Sequence, residues 1–168
     1  MVSDSPYKVD HLALSPLTGV ITGILGAFLM LGVVGLMQPY SGLSIEAVLA
    51  QFGTLVLPKR FEQISLTSLM SIALGVHILI RALLSLLYAV CQQRIPARGL
   101  IAVGIFYGFI LWVTSGVILG AAIGPGWRQS ARSWTWLMAN VVFGLCLATT
   151  SIVAQIIRPA EVMIVPKD

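Results

Sequence analysis

Charge is scarce in this sequence. Lys and Arg number 10, Asp and Glu 6 and His 2 in 168 residues, so charged side chains make up 10% of the chain. An ordinary soluble domain carries about a quarter, and a solvated surface of the usual kind is therefore excluded. The basic residues are spread over every polar segment instead of gathered in one, which excludes a nucleic-acid partner. Two cysteines, Cys91 and Cys146, have no second thiol nearby, so neither a redox pair nor a zinc site is expected, and both read as small buried residues. There is no Ser/His/Asp constellation, HExxH, Walker loop or dinucleotide fingerprint, and no enzymatic activity, metal or cofactor is expected.

What the chain has is apolar length. It is 58% hydrophobic, with a mean hydropathy of +0.97. A bilayer core about 30 Å thick needs roughly 20 helical residues to cross it. Four continuous apolar segments meet that need, at about 17–37, 66–90, 100–123 and 134–157. Strands of a membrane barrel would alternate polar and apolar residues, which these segments do not. The expected architecture is all-α: one membrane domain over 1–168, folded as an antiparallel four-helix transmembrane bundle. The first span is too long for the apolar region of a signal peptide and is preceded by Asp4 and Asp10, so it reads as a retained helix. Cys91 at the end of the second span and Cys146 in the middle of the fourth lie at different depths, which argues against a disulfide.

With four spans both termini share a side. Lys8, Arg94, Arg98, Arg158 and Lys167 fall there, against Lys59, Arg60, Arg128 and Arg132 opposite. This five-to-four excess places both termini in the cytoplasm. The connections before and after the third span are short, so the second span is expected to pack on the third and the third on the fourth. The segment between the first two spans is longer. Ser44 can cap a helix over about 44–53 with Ile45, Val48, Leu49 and Phe52 on one face and Gly53 placed to end it. Such a helix lies in the interface plane or covers the mouth of the bundle. Trp127, Trp134 and Trp136 at the entry of the fourth span read as an aromatic belt.

The strongest pattern is a row of glycines on the third span, Gly104, Gly108, Gly116, Gly120 and Gly124, in one i, i+4 register with Trp112 in the intervening step. Helices associate in lipid through close backbone approach along such small residues. Successive i+4 positions drift by about 40° on a 3.6-residue helix, so the row winds and its two ends meet different neighbours. Gly19 and Gly23 offer a matching surface on the first span. Internal packing and docking of another subunit are both open to these glycines.

His77 and Arg81 form the polar exception within the second span, one turn apart on one face. An Arg at the bilayer centre costs roughly 2.5 to 3.5 kcal/mol on insertion scales and is usually paired, snorkelling or functional. No carboxylate lies in any span, so three readings stand: Arg81 reaches lipid phosphates or helix-end carbonyls, pairs with a carboxylate of another subunit, or binds an anion in a transport path. His77 has no second intramembrane histidine to complete a haem site, because His11 precedes the first span.

The glycine-punctuated first helix, a second with Gly75, His77 and Tyr88, and a third with Gly108 and Trp112 together resemble the uncharacterised four-helix bacterial inner-membrane proteins of the YagU-like kind. Arg81 departs from that pattern, in which a small residue sits. The resemblance implies a bacterial inner-membrane location and no site. The expected function is a non-catalytic accessory subunit of a larger membrane complex, of the respiratory or photosynthetic electron-transfer type. Its partners would be integral membrane subunits and phospholipid, touched by Arg81, His77 and the glycines of the first and third spans. The alternative is a small homo-oligomeric transporter or channel using the His77/Arg81 face, with Asn140 beside it.

Overall fold

Helix α1, Pro16–Ser41, opens on a proline, which suits the first turn because the missing N–H would have no helical acceptor there. It closes on Gly42 at φ 66°, a left-handed position that glycine takes without a Cβ penalty, with the Gly42 N–H donating to the Gln38 carbonyl at 2.9 Å. The computed structural model from which this is read describes residues 16–56, 65–92, 95, 99–123, 125–150 and 153. The amino-terminal arm, His11, the carboxy-terminal tail and most of the polar connections lie outside them.

The remaining helices are α2 (Ile45–Val56), α3 (Leu66–Gln92), α4 (Leu100–Val113), a π-helical turn (Thr114–Leu119), α5 (Gly120–Ile123), α6 (Pro125–Ala131) and α7 (Trp134–Ala148). Three stretches, Pro16–Ser41, Leu66–Gln92 and Leu100–Leu119, are long and apolar enough to cross a membrane. The chain is thus an all-α protein of membrane-spanning type. The expected fourth span is described as a helix of 15 residues, capped at its start by the Ser133 hydroxyl accepting from the Trp136 N–H at 3.1 Å. Most of its expected continuation to 157 lies outside the described residues.

Small residues decide which helices touch. Along α1, Gly19 meets Ala89 and Ser85 while Gly23 meets Ser85 and the Arg81 carbonyl, so positions rising on α1 descend on α3. The Ser85 hydroxyl reaches the Gly19 carbonyl at 2.6 Å through this close approach. On α4, Gly104 lies against Gly144, and Gly108 against the backbone of Asn140 and Val141. Gly26 of α1 receives the Phe143 ring of α7, and the Thr22 and Thr150 hydroxyls meet at 3.2 Å. The order of packing is α3, α1, α7, α4.

This order corrects one expectation. The backbones of α3 and α4 scarcely approach one another despite their short link, because each spends its small-residue face on another helix. Tyrosines bridge them at one end: Tyr107 donates to the Leu84 carbonyl at 2.8 Å, and the Tyr88 and Tyr107 rings stand 5.1 Å apart.

One local expectation also changes. Gly53 does not end α2, which continues to Val56 with Gly53 buried inside it. The polar link before α7 contains the short helix α6. The Gln51 side chain of α2 donates to the Ser130 hydroxyl at 2.6 Å, just inside the carboxy-terminal end of α6, and so ties these two helices together. The predicted face of α2 does point inward: Val48, Leu49 and Phe52 are buried and Ile45 packs on the same core.

Candidate functional site

The polar centre of the molecule is the inward face of α3. His77, Arg81 and Ser85 recur at i+4 and are all buried, with Arg81 only 4% exposed. Its Nη1 donates to the Asn140 side-chain carbonyl at 3.1 Å, and the Asn140 amide nitrogen donates to the Trp136 carbonyl at 2.8 Å. The guanidinium carbon stands 4.9 Å from the Phe143 ring centroid and 5.7 Å from that of Trp136, within range for cation–π attraction. Nε is enclosed without a hydrogen-bond partner.

These contacts turn Arg81 away from one of its expected roles. An enclosed side chain bonded across to α7 does not climb to lipid phosphates. His77 is equally internal, fully buried, with Nε2 3.4 Å from the Ala27 carbonyl of α1 and its ring edge-on to Phe52 at 4.7 Å. Because a carbonyl only accepts, the tautomer that fits carries its proton on Nε2. Nδ1 then has no donor facing it.

The glycines expected at a partner or lipid surface are used inside the chain as well. Gly19 and Gly23 serve the α1–α3 contact, and Gly104 and Gly108 the α4–α7 contact, whereas Gly116 and Gly120 face Ala131 and Arg128 at α6. The row does wind, and its two ends do meet different elements. Of the two uses open to these glycines, the structure displays internal packing.

Beside Arg81 the π-helical turn builds a second polar point. In a π-turn the N–H of residue i+5 reaches the carbonyl of residue i, and here the Gly120 N–H reaches the Ser115 carbonyl. That carbonyl also accepts from the Trp127 indole at 2.9 Å. The Ser115 hydroxyl donates to the Trp112 carbonyl at 2.8 Å and accepts from the Trp136 indole at 3.0 Å. One serine therefore holds two indoles. Trp127 and Trp136 are accordingly core residues, 4% and 3% exposed, and not part of an aromatic belt; Trp134, at 66%, is the one that faces outward.

Where α3 and α4 part, a cavity of about 160 Å³ remains. Phe52 of α2, Trp127 of α6 and Trp136 of α7 line it with their rings, Leu111 and Ser115 line it from the α4 side, and Arg81 lines it from α3. Asn140 and the His77/Arg81 pair are legible from sequence as polar breaks in apolar helices. Phe52 and Ser115 are not, because the first reads as an ordinary apolar-face residue and the second as a hydroxyl satisfied by its own helix.

Among the described residues no group of three or more His, Cys, Asp or Glu side chains comes together to hold a metal. Cys91 and Cys146 are free thiols. Comparison of the chain with protein-family models, with curated proteins and with solved structures finds no match.

Proposed function

We propose that the chain forms an antiparallel four-helix transmembrane bundle, with α7 and its continuation as the fourth span, and serves as a non-catalytic accessory subunit of a larger complex in the bacterial cytoplasmic membrane. A respiratory or photosynthetic electron-transfer assembly is the kind of complex meant, and both termini lie on the cytoplasmic side. One observation supports this reading. On α3 the polar row His77, Arg81 and Ser85 is buried inside the chain, while Leu79, Leu83 and Leu87 stand more than half exposed on the opposite side. The exposed faces of α1 and α4 are likewise apolar, with Phe28 and Leu29 on one and Ile101, Phe106 and Phe109 on the other. Such a surface fits against the helices of neighbouring subunits, with lipid in the gaps, and makes no polar demand on them.

Purification from native membranes in mild detergent, followed by native electrophoresis and mass spectrometry of co-migrating bands, tests the assignment. Stoichiometric association with a large complex is expected. Migration alone as a small oligomer would rule the assignment out. The cavity at Arg81 favours a second reading, a small transporter or channel whose path passes His77, Arg81 and Asn140. Solute flux in proteoliposomes that Arg81→Leu abolishes would establish it instead.

A further inference from the structure

We infer that the cavity beside Arg81 is a binding site for a small hydrophobic organic anion: a carboxylate with a ring-sized or short-chain body. The inference stands on the cavity and its one cation and does not depend on membership of a larger complex.

Size and lining set the body of the ligand. The cavity measures about 160 Å³, and an engineered apolar cavity of roughly 150 Å³ stays dry and takes up benzene. Its walls are the rings of Phe52, Trp127 and Trp136 and the aliphatic side chains of Ile80, Leu84 and Leu111. A flat or short apolar body fills the space and gains dispersion contact along every wall.

Charge sets the head. A guanidinium stays protonated in a protein and offers five N–H donors, of which Arg81 commits one to a neutral amide. No acidic residue occurs between Glu62 and Glu161 in the sequence. Glu46, the acidic residue among those described, is exposed at the first turn of α2. The buried cation therefore has aromatic faces and an amide around it but no described counter-ion, and in a low-dielectric interior an anion is strongly attracted to such a site. Chloride would neutralise the charge and leave the walls bare, and a neutral hydrocarbon would fill the walls and leave the charge. A hydrophobic carboxylate does both.

The test is calorimetric titration of the purified full-length protein in detergent with benzoate, with benzamide as the neutral isostere and with chloride. Saturable benzoate binding is expected, at least tenfold tighter than benzamide. It is expected to vanish in Arg81→Met and to weaken at least tenfold in Leu111→Trp, which fills the cavity and retains the cation. Equal affinity for benzamide, benzoate binding unchanged in Leu111→Trp, or a chloride response as strong as that of benzoate would overturn the assignment, and none of these depends on Arg81→Met folding. Mass spectrometry of acids released from protein purified out of membranes separates the sources. A bound short-chain or aromatic acid marks the membrane as supplier, whereas an empty site that then takes benzoate marks the aqueous phase, and either supports the site.

Discussion

Arg81 and Asn140 hold one another across the space between α3 and α7, Nη1 donating to the side-chain carbonyl at 3.1 Å. The other end of the same amide donates to the Trp136 carbonyl one turn earlier at 2.8 Å. The amide is thus used at both ends, and its orientation follows because a guanidinium only donates and a carbonyl only accepts. Asn140 is the one side-chain amide of α7.

Asn140→Leu therefore leaves a buried guanidinium without its acceptor and is expected to destabilise the protein by about 3 to 5 kcal/mol. Arg81→Met combined with Asn140→Leu replaces the pair by apolar groups and is expected to recover most of that loss. Thermal unfolding of the two single variants and the double variant in detergent measures the coupling. Strictly additive effects would show that the pair does not act as a unit.

Ser115→Ala separates the two indoles. It removes the hydroxyl that accepts from Trp136, leaving a buried N–H unpaired at an expected cost of about 1 to 3 kcal/mol. Trp127 donates to the Ser115 backbone carbonyl, which the substitution leaves in place. Near-ultraviolet circular dichroism of Ser115→Ala, alone and combined with Trp136→Phe or Trp127→Phe, tells the two apart. The Ser115→Ala change should disappear in the Trp136→Phe background and persist in the Trp127→Phe background.

The apolar periods and the polar breaks explain why so much of this arrangement is legible before any coordinates. Continuous apolar length dictates helices, and a helical period of i+4 dictates that His77 and Arg81 share a face. The inward face of α2 follows in the same way from Ile45, Val48, Leu49 and Phe52. Partner choice is different in kind. Leu100 follows Gln92 closely in sequence, yet α3 spends its small residues on α1 and α4 its own on α7, a competition that only the assembled backbones resolve. The cavity is a consequence of that choice, and so is the burial of Trp127 and Trp136, whose sequence position beside polar residues reads equally well as an interface anchor.

Glu46 supplies a pH dependence outside the spans. Its own backbone N–H, and after that the Ser44 hydroxyl, hold the carboxyl below the ordinary carboxylate range. A group whose folded pKa is depressed stabilises the fold above its unfolded pKa, and that contribution is lost as pH falls through the folded value. Between neutrality and about pH 3 the thermal stability of Glu46→Gln should decline less steeply than that of the natural protein. The side chain is fully exposed, so the difference is small, and parallel curves would show that solvent screens it out.

The glycines divide into two groups that predict opposite signs. A Cβ at Gly108 would enter the backbone of Asn140, and one at Gly144 would enter that of Gly104, where no side-chain movement relieves the overlap. A Cβ at Gly75 or Gly32 meets nothing within 4 Å. Gly108→Ala and Gly144→Ala must therefore push α4 and α7 apart, with an expected loss of about 1 to 3 kcal/mol or more. Gly75→Ala and Gly32→Ala only restrict the unfolded backbone and improve helix propensity, with an expected gain of up to about 1 kcal/mol. Unfolding curves for the four variants decide the matter. A loss at Gly75 or Gly32 equal to that at Gly108 would mean that those exposed positions are also covered, by a second chain seated on α1 or α3.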